Sequence, residues 1–264
     1  MAMAFGLVEP TDISLPGLDP ALRGLRVAHV SDLHVRRHKP LHTRLINQLA
    51  NMRVDLIAVT GDIMDRVGDE EPAAGVLRRL CERLHPPHGI YAVTGNHDTP
   101  GVREQTEGLP IRWLDNEAVD VEGLPLRVMG LAEGKGGAPD AVALAASRGA
   151  ARVGDRLAVL LCHRPLGLAM AADLGVDLML SGHTHGGQIR LPGKRALVNN
   201  SDLPLDRSAG MLRHRGTLCL ISRGLGETTL PLRTFCKPHA PVYTLRSGSR
   251  PGKASDRFER VWSW

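Results

Sequence analysis

The chain has 264 residues, 42% hydrophobic and 23% charged, with 33 Lys/Arg against 28 Asp/Glu and a formal charge of +5. This balance excludes a disordered chain, and the length suits one large α/β domain or two small ones. Aromatic residues make up only 3%, so the core must be aliphatic, and nucleic-acid binding by base stacking is disfavoured.

Residues up to about Leu22 read as a weakly structured tail. Leu25–Val30 is the first predicted strand, a short aliphatic run bounded by Gly and Ser. Leu41–Met52 follows as a helix, with Leu41, Leu45, Ile46, Leu49 and Met52 on one stripe. Asp55–Thr60 is a second strand, Ala73–Leu84 a second helix and Ile90–Thr94 a third strand. Glu117–Leu131 alternates around Glu122-Gly123 and reads as a hairpin. Pro139–Arg148 reads as a surface helix. Strand Leu157–Leu161, short helix Pro165–Leu174 and strand Asp177–Leu180 come next. Strands Leu218–Ser222, Thr228–Arg233 and Val242–Leu245 complete the pattern, and the residues beyond Arg246 read as a second tail. This order predicts an α/β sandwich with a mixed sheet or two packed sheets. With no repeat and no Gly/Ser linker, residues 1–264 read as a single domain with a core of about 24–245 and flexible ends.

The four cysteines, Cys81, Cys162, Cys219 and Cys236, form no C-x-x-C pair, and their low density points to a reducing compartment. No apolar run is long enough for a transmembrane helix, and Met1–Pro10 does not read as a signal peptide. The expected location is therefore cytoplasmic, with a peripheral position at the membrane face as a further option. From Gly187 onward there are 14 Lys/Arg and 5 Asp/Glu, against 19 and 23 before it. A basic C-terminal third is either a solvated surface or an attractor of an anionic partner, and composition does not choose between them.

Chemistry-bearing residues follow five of the strands. Asp32 and His34 follow the first, Asp62 the second, Asn96, His97 and Asp98 the third, His163 the fourth, and His183 and His185 the fifth. Ligand sites of open α/β sheets lie at strand carboxyl ends, so these residues should converge. Asp, His and Asn together suit a divalent metal. Asp32 with His34, and His183 with His185, would share a direction as i and i+2 of an extended strand end. Asp98 would orient His97 or cap a helix. Arg36, Arg37 and Lys39, and also Arg164, Arg190 and Arg223, adjoin these motifs and are candidate substrate contacts. Gly130–Gly136 lacks the spacing and the hydroxyl residue of a P-loop.

The ordered set D-x-H, G-D, G-N-H, H and G-H-x-H resembles the calcineurin-like metallophosphoesterase superfamily over about Gly24–Leu245. The runs Gly182–Ile189 and Ser222–Gly226 resemble a bacterial, membrane-associated branch that includes UDP-2,3-diacylglucosamine hydrolases. Pro238-His239-Ala240-Pro241 departs from that branch, where Pro-Glu commonly precedes the last strand. The resemblance implies a four-layer α-β-β-α sandwich of two mixed sheets with a dinuclear site of two divalent ions (Mn, Fe or Zn). Asp32, His34 and His185 would hold the first ion, Asn96, His163 and His183 the second, and Asp62 would bridge them. A metal-bridging hydroxide would attack phosphorus, with His97 as the acid near the leaving group. The implied substrate is a phosphodiester or pyrophosphate, such as a nucleotide-linked lipid. Soluble or cyclic nucleotides are the alternative, and a non-catalytic scaffold on the same fold is the second. No specific nucleic-acid partner is expected, and the oligomeric state is left open.

Overall fold

A strand between two apolar layers must be apolar on both faces, and the central strands of this chain are. The computed structural model describes residues 7–133, 156–192, 196–199, 201, 203–228, 230–248 and 259–262. The first sheet holds β1 (Val8–Pro16), β2 (Arg26–Val30), β3 (Leu56–Thr60), β4 (Ile90–Val93), β5 (Ile111–Trp113) and β12 (Ala240–Gly248), ordered β1-β12-β2-β3-β4-β5. The second holds β6 (Glu117–Asp120), β7 (Leu126–Leu131), β8 (Leu157–Cys162), β9 (Leu178–Ser181), β10 (Gly210–His214), β11 (Thr217–Ile221) and β13 (Glu259–Trp262), ordered β13-β10-β11-β9-β8-β7-β6. Both sheets are mixed. β2 to β5 run parallel, as do β7, β8, β9 and β11, whereas β12 is antiparallel to β2, and β6 and β10 to their neighbours.

Alternation along each strand sets the layers. Leu56 and Ala58 of β3 and Leu157, Val159 and Leu161 of β8 face each other in the core between the sheets. Ile57 and Val59 turn outward to the helices α1 (Pro40–Ala50), α2 (Glu70–Arg83) and α3 (Pro100–Glu104). Leu160 and Cys162 turn the other way, to α4 (Leu168–Asp173). The result is the four-layer sandwich.

Several expectations are corrected. Val8–Pro16 is not a tail but a nine-residue strand parallel to β12, with Ile13 and Leu15 buried in the central core. Glu259–Trp262 likewise pairs with β10. Thr228–Arg233 forms no strand among the described residues, because Pro231 interrupts it and Leu230 and Leu232 face solvent. Pro165–Leu174 divides into a 3-10 turn, Pro165–Gly167, and α4. The Glu117–Leu131 hairpin forms as expected, and the Pro139–Arg148 helix lies outside the described residues. All four cysteines are buried and free.

His29 on β2 is fully buried, with Nε2 2.8 Å from Thr60 Oγ1. Burial pushes its pKa down from 6.5 to about 3. Above pH 6.5 the ring is neutral in both folded and unfolded chains. Below it the unfolded chain takes up a proton that the folded chain refuses, so stability falls as pH drops from 6.5 toward 3. Urea unfolding of metal-free protein between pH 7 and 4 should show that loss. In His29→Gln the slope should be shallower by up to about 1.4 kcal/mol per pH unit.

Candidate metal centre

The carboxyl ends of β2, β3 and β4 from one sheet and of β8 and β9 from the other meet at one edge of the sandwich. The eight residues assigned to the two ions and the acid lie in the loops that follow these strands. Asp62 sits between two groups: Asp32, His34 and His185 on one side, His163 and His183 on the other. Asp62 Oδ2 is 3.4 Å from His34 Nε2 and 3.3 Å from His163 Nε2. His34 Nε2 lies 3.0 Å from His185 Nε2, and His185 Nε2 is 3.5 Å from Asp32 Oδ1. In the second group His163 Nε2 lies 3.1 Å from Asn96 Oδ1 and 3.2 Å from His183 Nδ1.

The convergence does not come from an extended strand end. Asp32, His34, Asp62, His183 and His185 have φ between +43° and +68°. Left-handed turns, rather than strand alternation, aim the paired side chains inward. Glycines make room for them. A Cβ on Gly182 would overlap Ser31 Oγ and Asp32 Oδ2, one on Gly95 would overlap Asp62 Oδ1, and one on Gly224 (φ +66°) would overlap Asp32 Cβ. The Ser-Arg-Gly-Leu-Gly run acts through both its glycines, since a Cβ on Gly226 would overlap Leu33 O and crowd His34 Cβ.

The backs of the rings are tied down. His163 Nδ1 donates to Thr60 O at 2.7 Å, which leaves Nε2 facing Asp62. His97 N–H donates to Asp62 Oδ1 at 2.9 Å, and His97 Nδ1 donates to Asp65 O at 2.5 Å, leaving its Nε2 free. Sequence reasoning missed Asp65. Its Oδ1 faces His34 Nδ1 at 3.3 Å, and its Oδ2 accepts from Arg36 Nε at 2.6 Å. Arg233, also missed, donates to His185 O at 3.4 Å and has Nη2 3.3 Å from His185 Nδ1. Neither residue belongs to a short motif with the group it supports. Asp98 fits neither expected role. It accepts from Ile63, Met64 and Gly95 N–H at 2.8, 3.1 and 2.8 Å and so ties two loops together, while Thr99 occupies the N-cap of α3.

Burial would raise the Asp62 pKa, but His163, then His34 and His97, hold the carboxyl well below the usual range. Burial would lower His163, but Asp62 and then Asp32 raise it to about 10. Burial raises Asp32 to about 6 and lowers His34 to about 4. A pocket that draws a proton so strongly onto a buried imidazole favours cations. Asp32 Oδ2 is buried without a hydrogen-bond partner. With the imidazole nitrogens grouped around it, it makes the donor set fit divalent ions once those rings give up their protons.

The five arginines are placed differently. Arg36 and Arg37 are exposed near the site, with Arg36 paired to Asp65. Arg164, beside His163, pairs with Glu133. Arg190 is buried, and Arg223 pairs with Glu9 at 3.0 Å.

With this geometry in place, the comparisons give the class. The chain belongs to the calcineurin-like phosphoesterase family, whose model matches residues 25–187. It is accordingly a metal-dependent phosphoester hydrolase. The uncharacterized metallophosphoesterase YkoQ of Bacillus subtilis is 30% identical over 90% of this chain and 90% of its own length. The UDP-2,3-diacylglucosamine pyrophosphatase LpxG of Chlamydia trachomatis is 32% identical over 32% of this chain and 26% of its own. TT1561 of Thermus thermophilus shares the fold, with a TM-score of 0.51 and 13% identity over 77% of this chain and 90% of its own.

A Gly182→Ala variant should keep its circular-dichroism spectrum, because Gly182 lies outside the strands. Its displaced Asp32 should weaken metal binding by about tenfold or more. Metal content after dialysis checks this outcome, and wild-type content would clear Gly182 of any role.

Proposed function

We propose that this hydrolase cleaves a phosphodiester or pyrophosphate bond, with a nucleotide-linked lipid such as UDP-2,3-diacylglucosamine as the leading substrate. The carrying observation is Asp62, whose Oδ2 is shared at 3.3–3.4 Å between two separate donor groups. On this reading Asp32, His34 and His185 hold one divalent ion, Asn96, His163 and His183 hold a second, and Asp62 contributes to both. Bound there, the ions would activate water and neutralise charge on the phosphoryl group.

The remaining work falls to the chain's own residues. His97 is half-buried beside Asp62, with Nδ1 committed to Asp65 O. Its Nε2 is left to give a proton to the departing oxygen. Asp65 fixes that ring and faces His34 from behind. A cleft of about 560 Å³ adjoins Asn96 and is lined by Thr99, Arg103, Trp113 and Glu133. It would take the part of the substrate beyond the phosphates. The lipid-linked assignment draws its support from the partial likeness to LpxG.

His97→Ala should lower kcat by about 10²–10⁴ on a poor leaving group and less on p-nitrophenyl esters, with metal content unchanged. An equal rate on the poor leaving group would refute the acid role. Asp62→Ala should lose metal and activity together, and full metal occupancy would refute the sharing role. Release of UMP from UDP-2,3-diacylglucosamine and from UDP-N-acetylglucosamine, which lacks the long acyl chains, tests the substrate. The compound with the long acyl chains should have the higher kcat/KM. Equal values would remove the lipid reading and leave phosphoester hydrolysis intact.

A further inference from the structure

A cation taken out of water needs a counter-charge, and the segment that supplies it fixes where the charged segment can lie. Arg223 and His239 are both buried, the arginine on the loop after β11 and the histidine just before β12. One carboxylate faces them both. Glu9 Oε1 accepts from Arg223 Nη2 at 3.0 Å, and Glu9 Oε2 lies 3.5 Å from His239 Nε2. Glu9 belongs to β1, the edge strand that joins the first sheet through its register with β12. The carboxylate thus comes from a strand outside every metal motif, and its side chain is only 28% exposed.

What Glu9 holds lies against the first-ion group. The stem of Arg223 packs on Gly186, the neighbour of His185, so closely that a Cβ there would overlap Arg223 Cγ. Gly224 abuts Asp32, and Gly226 abuts His34. Leu225 N–H at 3.2 Å and Gly226 N–H at 2.6 Å both donate to Asp32 O. His239 is tied to the same run, since its N–H donates to Gly224 O at 2.9 Å and Ser222 Oγ donates to His239 O at 3.3 Å. Asp32, His34 and the neighbour of His185 therefore all touch the stretch Arg223–Gly226. Two of the second-ion residues are held from elsewhere, His163 by Thr60 O and Asn96 by the loop that Asp98 fastens.

The charges make the pairing necessary. Burial, with the Arg223 charge next, keeps His239 well below its usual pKa, so the ring is neutral and Arg223 is the cation that Glu9 balances. Arg190 is buried close by, near enough for the Arg223 charge to add to burial in lowering its pKa. A guanidinium among such neighbours stays inside while a carboxylate faces it.

We propose that Glu9 is a positioning residue for the first metal ion. Through Arg223 it sets the stretch of chain that shapes the pocket of Asp32, His34 and His185. The proposal rests on the two-ion reading above and adds to it a residue from the edge strand. A purely structural ion pair would support the fold without distinguishing the two ions, and that difference is measurable.

Glu9→Gln keeps the shape of the side chain and removes its charge. Titration of the metal-free full chain with Mn²⁺, read by bound-metal content and electron paramagnetic resonance, separates an isolated ion from a coupled pair. Wild type should take up two ions. Glu9→Gln should bind the second ion as before and the first about tenfold or more weakly. At the Mn²⁺ concentration that just fills wild type it should therefore show mostly isolated manganese. Arg223→Gln removes the other half of the pair and should give the same selective loss, which keeps the test open if either variant fails to fold. The double variant Glu9→Gln/His239→Glu returns a carboxylate from the β12 side, where the His239 ring already points at the Glu9 carboxylate, and should recover the first ion. Wild-type affinity for both ions in Glu9→Gln overturns the proposal. Equal weakening of both ions also overturns it and marks the pair as purely structural. A wild-type chain that never takes up two ions overturns the two-ion reading itself, and the proposal with it.

Discussion

Asp32 and Asp62 are both buried within one shell of imidazoles, and two like charges out of water repel each other unless cations lie between them. The rest of the architecture serves this arrangement. Each sheet contributes one part of the shell, so the two sheets must present the carboxyl ends of their parallel strands at the same edge. Polar bonds tie them there. His163 from the second sheet donates to Thr60 O of the first, and His183 N–H donates to Asp32 Oδ1 at 2.9 Å. Elsewhere the sheets meet through a mostly aliphatic core that also takes in Tyr91 and Tyr243. The sandwich is thus apolar across its middle and charged at one end, and the charged end holds the candidate metal centre.

Holding the shell together costs backbone strain. Five of the eight converging residues sit in the left-handed region, at roughly 1 kcal/mol or more each for a side chain with a Cβ. These turns persist because hydrogen bonds between neighbouring loops hold them. Asp32 N–H donates to Gly61 O, and His34 N–H to Asp62 O, both at 3.0 Å. Asp98 fastens the Asp62 loop to the Asn96 loop through three backbone N–H groups. The strain buys direction, since side chains two apart in sequence point to one spot from a turn too tight for an ordinary strand end.

The sequence shows the site because each inward residue follows an aliphatic run, so the order of motifs was readable even though the turn geometry was not. The layers were readable for a related reason, as Leu56–Thr60 and Leu157–Cys162 are apolar on both faces. β1 was not readable. Val8–Pro16 carries Glu9, Pro10, Thr11 and Asp12, and as an edge strand it buries only a few positions toward the core. Its place comes from the register with β12, which lies more than 200 residues away in the chain. Asp65 and Arg233 were missed for the same kind of reason. Each acts on a residue distant in sequence, and nothing local separates it from an ordinary surface charge.

The segment from Gly226 to Cys236 shows how these demands meet in one piece of chain. Its inner side carries Arg233, whose Nε and Nη2 both donate to Gly226 O while Nη1 reaches His185 O. Only a planar fork with several donors can satisfy that set, and a lysine could not. Cys236 Sγ adds a contact to His185 O at 3.3 Å. The outer side of the same segment carries Leu230, Leu232 and Phe235, all exposed. The inner contacts thus fix the backbone on which the outer side chains stand. The basic C-terminal third is therefore not all solvated surface, since buried Arg233 braces His185 while Lys237 of the same stretch is exposed. A net charge summed over the whole chain averages such different placements into a modest number.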